Sequence, residues 1–60
     1  MVSDFEYFTR RAKEERAAET GAAHAHVRMI HRELAEAYES RLQALSADQR
    51  RAGIHLVSAA

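Results

Sequence analysis

ETGAAHAHVRMIHREL, residues 19–34, is the stretch whose reading decides the fold. Gly21 can take the positive φ that closes a preceding helix, and Thr20 can cap the next one, so the stretch predicts a turn at residues 20–22. The competing geometry is one unbroken helix through Gly21. A lone glycine inside a helix costs only about 1 kcal/mol, so local propensity does not choose between hairpin and rod.

Outward from that point the sequence reads as helix on both sides. The 60-residue chain has no Pro, two Gly, 30% charged residues and 13 Ala, a composition that favours helices throughout. Toward the N-terminus, Ser3 and Glu6 have the spacing of a capping box, and Val2 and Tyr7 that of a hydrophobic staple. Asp4 adds negative charge at the positive end of the helix dipole. A first helix is therefore predicted at about 4–19. Its inner face runs Phe5, Phe8, Ala12, Glu15, Glu19, fading from aromatic to small to acidic. Beyond the turn, Ala23, Val27, Ile30, Leu34, Ala37, Tyr38 and Leu45, with Leu42 at the edge, recur at the three- and four-residue spacing of a core-facing helix over about 22–45. Ser46 with Gln49 offers a second capping box for a short third helix at about 47–52, stopped by Gly53, followed by an apolar tail at 53–60.

The expected architecture is an all-α antiparallel hairpin with a short third helix. In its expected register Phe5 faces Tyr38 to Leu42, Phe8 faces Leu34, and Ala12 faces Ile30. Glu15 and Glu19 approach His24, Arg28 and His31. A domain this small buries only about 60% of the surface its unfolded chain exposes, and without Cys no disulfide can compensate. Pairing two hairpins into a helical bundle would bury more, so a homodimer is expected. The expected contact surface is the aromatic end: Phe5, Phe8, Tyr38, Leu42 and Leu45, with Ile54, Leu56 and Val57 of the tail.

Nine Lys and Arg balance nine Asp and Glu, which argues against nucleic acid and acidic membranes as partners. No apolar run approaches the roughly 20 residues that span a bilayer, and MVSDFEYF lacks the basic and apolar segments of a secretory signal, so a cytoplasmic location is expected. Three of the four histidines, His24, His26 and His31, lie within eight positions. On a helix His24 and His31 share an azimuth but stand about 10 Å apart, too far for one metal ion, and the i,i+4 pair of helical zinc sites is missing. The residues point to no metal, no cofactor and no catalytic group; whether the histidines form a pH switch stays open. An alternative reading is a helix-turn-helix DNA binder, from the spacing Ala17-x3-Gly21-x5-Val27-x2-Ile30.

At YFTRRAKEERAAE (7–19) and AHVRMIHRELAEAYESRL (25–42) the chain resembles short bacterial proteins that carry no assigned activity. The resemblance covers residues 5–45 and implies a cytoplasmic bacterial helical hairpin.

Overall fold

The computed structural model describes the backbone over residues 3–59 and the side chains over residues 3–51. It consists of two helices, α1 (Asp4–Gly21) and α2 (Ala25–Ala59), joined by residues 22–24 and packed along each other. The hairpin is the geometry adopted, with no rod through Gly21.

The start of α1 follows from its capping residues. The Ser3 Oγ accepts from the Glu6 N–H at 3.2 Å, and the Tyr7 N–H donates to the Ser3 carbonyl at 2.9 Å. Asp4 and Glu6 put negative charge in the first turn, where the helix dipole favours it. Val2, the expected staple partner of Tyr7, lies outside the described residues.

The turn is made differently from the sequence expectation. Gly21 is the last residue of α1, and no residue of the turn takes a positive φ. The helix ends because Ala22 turns extended, at φ −76° and ψ 134°, its N–H donating to the Glu19 carbonyl at 3.4 Å. Thr20 does not cap α2, since its hydroxyl donates back to the Arg16 carbonyl at 3.1 Å. The carbonyls of the turn are instead satisfied from α2. Arg28 Nη1 donates to the Ala22 and Ala23 carbonyls at 3.2 and 3.1 Å, taking the place of the bonds that a left-handed glycine would supply.

The two helices run antiparallel, marked by Phe8 against Tyr38 near the open end and Glu19 against Arg32 near the turn. Expected and observed registers differ by one turn. Phe8 meets Tyr38, with ring centroids 6.0 Å apart, where the apolar stripe had placed Leu34. Among the described residues the buried ones are Ala12, Glu15 and Ala35. On α2 the inward row is Arg28, His31, Ala35, Tyr38, Leu42 and Leu45, each buried or half-buried. The expected core residues Val27, Ile30 and Leu34 are exposed. Two rows one residue apart share the same three-and-four spacing, and polar pairing rather than hydropathy selects between them.

The predicted third helix at 47–52 does not form a separate element, because α2 passes through Ser46, Gln49 and Gly53 to Ala59. With no proline in the segment, the Ser46 and Asp48 side chains and one glycine each weaken a helix by roughly 1 kcal/mol or less, too little to force a break.

Since Gly21 has a helical backbone and a methyl group built there meets no atom within 4 Å, Gly21→Ala is expected to stabilise the hairpin by about 0.5–1 kcal/mol. Thermal unfolding followed by circular dichroism would show a higher Tm. A lower Tm would mean that the turn needs the left-handed glycine after all.

Candidate functional site

Three rows of residues on α2 divide the hairpin into two broad sides. Successive residues on a helix are rotated by 100°. Residues that follow the inward row, Arg32 after His31 and Glu39 after Tyr38, therefore emerge on one side. Residues that precede it, Val27, Ile30, Leu34 and Ala37, emerge on the other. Between antiparallel helices the same rule holds for α1: Arg16 follows the buried Glu15, while Tyr7 and Arg11 precede Phe8 and Ala12.

The first side is closed by a chain of ion pairs. Arg16 forks onto Glu39, with Nε and Nη2 to the two carboxylate oxygens at 2.8 and 2.7 Å, and its Nη1 donates to Glu19 at 2.9 Å. Glu19 also accepts from Arg32 Nε at 2.8 Å. The Arg16 guanidinium holds the Glu39 carboxyl below its ordinary value of 4.5. Arg32, then Arg16, do the same for Glu19. Two-pronged Arg–carboxylate bonds are geometrically exacting, so this chain specifies register as well as adding attraction.

In the seam itself, Glu15 is 7% exposed and bridges two cations or potential cations. Arg11 Nη2 donates to one oxygen at 3.1 Å, and His31 Nδ1 lies 2.6 Å from the other. A carboxylate only accepts, so Nδ1 carries the proton in this bond. Arg11 also stacks over the Tyr38 ring, 5.4 Å from its centroid. Of the expected approaches, Glu15 to His31 is present; Glu19 reaches Arg32, a partner absent from that expectation, and Arg28 is spent on the turn.

The second side carries apolar surface. Val27, Ile30 and Leu34 are 37%, 42% and 41% exposed, and Tyr7 of α1 is 41% exposed on the same side. The contact surface expected from sequence is divided by the fold. Phe8, Tyr38, Leu42 and Leu45 are half-buried, and Phe8 is held between the Tyr7 and Tyr38 rings. Phe5 is exposed, on a solvent-open hollow along α1 that it shares with Glu6, Thr9, Arg10 and Lys13. The side chains of Ile54, Leu56 and Val57 lie outside the described residues.

Among the described residues no three His, Asp or Glu side chains gather as a metal would require, and no helix is long and apolar enough to cross a membrane. His24 and His26 are exposed. In the segment with helix-turn-helix spacing, Ala17 and Gly21 are exposed. The helices lie alongside each other over the length of α1, where that motif crosses its helices at about 90–120°.

The exposed aliphatic row was visible in the sequence, but as the presumed core. The signal that reassigns it is the pairing of Glu15 and Glu19 with His31 and Arg32, since four charged or polar residues in complementary positions outweigh three aliphatics that can stay at a surface. Comparison with protein-family models, with curated proteins and with solved structures finds no match for this chain.

Two predictions follow from the ion pairs. Because the Glu39 and Glu19 carboxyls titrate below their ordinary values, their contribution is present above about pH 4.5 and is lost as pH falls through the lowered values. Thermal melts from pH 7 to pH 2 will show stability falling on the acid side. Glu39→Gln will melt lower than the parent at pH 7 and converge with it in acid; a constant gap between the two would contradict the pairing. Replacing the seam pair by Glu15→Leu with His31→Leu is expected to raise stability by about 1–4 kcal/mol, since an apolar pair avoids the desolvation of a buried carboxylate. Glu15→Leu alone should gain less, because it leaves His31 without its acceptor.

Proposed function

We propose that this chain is a non-enzymatic association module of the cytoplasm, whose working unit is two hairpins packed into a helical bundle. The observation that carries the reading is its surface. The chain exposes 4858 Å² at a mass of 6.8 kDa, whereas a compact monomer of that mass exposes about 3,950 Å². The excess of about 900 Å² is close to the roughly 800 Å² that each partner contributes to a standard protein interface.

Two further features support it. The molecule measures 54 × 23 × 11 Å, so in its thinnest direction it is a single helix deep, while domains are built from at least two packed layers. Among the described residues the buried apolar side chains are two alanines, a small core for a stable fold. α2, at 35 residues, is also longer than the 18-residue α1 that it packs against, and helices draw most of their stability from packing. The absence of Cys suits a reducing compartment. The charged groups of the seam and its flank are already engaged with one another, and this supports a role without catalysis.

Sedimentation equilibrium over micromolar concentrations tests the proposal. The expected result is a species of twice 6.8 kDa that dissociates on dilution with loss of helicity. A monomer whose melting temperature is independent of concentration would overturn it.

A further inference from the structure

We infer that the second copy of this chain seats on the face formed by Val27, Ile30, Leu34 and Ala37 of α2 together with Tyr7 of α1. The inference rests on the self-association reading and adds to it the place where the copies meet.

Three observations select this face. First, Val27, Ile30 and Leu34 stand at i, i+3 and i+7, a strip about 10 Å long on one side of α2, and each leaves more than a third of its surface in water. This is the pattern of a helix face built for another helix. Second, the opposite side is occupied by Arg16, Glu39, Glu19 and Arg32, whose charges are paired with one another within one chain. Covering these ion pairs would cost desolvation of charged groups. Phe5 and Met29, also exposed, lie off the strip and are not continuous with it.

Third, the charge at the margins suits a copy of the same chain. The margins carry both signs, with Arg41 exposed at the end of the row after Ala37, Glu33 exposed beside it on α2, and Glu14 exposed on α1 beside Arg11. In a two-fold arrangement each residue of the patch meets the patch itself, so a rim of one sign would repel. Here acid and base can face each other, and a chain of net charge zero carries no overall repulsion between copies. The elongated chain as a whole exposes about 900 Å² more than a compact monomer, enough for one standard interface, which removes roughly 800 Å² from each partner. The strip lies one residue from the inward row and so borders the seam, and two hairpins stacked through it make a two-layer bundle with the aliphatic strip between the layers.

The test uses the full chain in two experiments. In the first, sedimentation equilibrium compares the parent, Ile30→Lys with Leu34→Lys, and Met29→Lys as a control on an exposed apolar site off the strip. The double variant is expected to weaken dimerisation by at least about tenfold, with Met29→Lys close to the parent. In the second, an equimolar mixture of isotope-labelled and unlabelled parent chain is examined by filtered NOE spectroscopy, which needs no variant to fold. Intermolecular cross-peaks are expected at the methyl groups of Val27, Ile30 and Leu34. A parent dimer whose intermolecular peaks fall elsewhere, at Leu42 and Leu45 for instance, or a double variant that dimerises like the parent, would overturn the face and leave self-association standing. A monomeric parent would overturn both.

Discussion

A carboxylate buried between two helices constrains everything else in this hairpin. Glu15 sits in the seam with almost no access to water, and an ionised group there is tolerable only if its oxygens are bonded. Arg11 reaches one oxygen from the same helix and His31 reaches the other from the facing helix. Once Glu15 and His31 are opposed, the antiparallel register follows: Phe8 comes to Tyr38, Glu19 to Arg32, and Arg16 to Glu39. Alanine at Ala12 and Ala35 completes the seam. The aliphatic row one residue away is thereby turned outward, and its apolar surface stays exposed to solvent.

The turn obeys the same economy. Three residues suffice because the carbonyls of Ala22 and Ala23 in the turn are taken by the Arg28 guanidinium reaching back from α2. The turn is thus held by a side chain of the inward row, and the position of that row and the closure of the hairpin are coupled. A change of register would move Arg28 away from the turn as well as Glu15 away from His31.

The fold class was legible in the sequence and the register was not. Ser3 and Glu6 mark the start of α1 by a chemistry that is local, and the chain does reverse just after Gly21, so helix, break and helix could be read without tertiary information. The mechanism of the break could not: an extended Ala22 and a reaching Arg28 leave no local signature, whereas a glycine suggests a left-handed cap that is not used. Ser46 with Gln49 looks like a helix start, but a capping box is a possibility that a continuing helix simply leaves unused. The candidate face was misread for a specific reason. Apolar periodicity marks Val27, Ile30 and Leu34 as a stripe to be buried without saying by what, and the hairpin satisfies its charged residues first.

The most direct test of the polar seam is the set of intramolecular NOE contacts in the folded chain. Cross-peaks between the Phe8 and Tyr38 rings, with the His31 ring protons close to the side chain of Glu15, are the result required by the register described. Contacts from Phe8 to the methyl groups of Leu34 and from Ala12 to Ile30 within one chain would contradict it, because they would bury the aliphatic row inside the hairpin and leave Glu15 without its histidine.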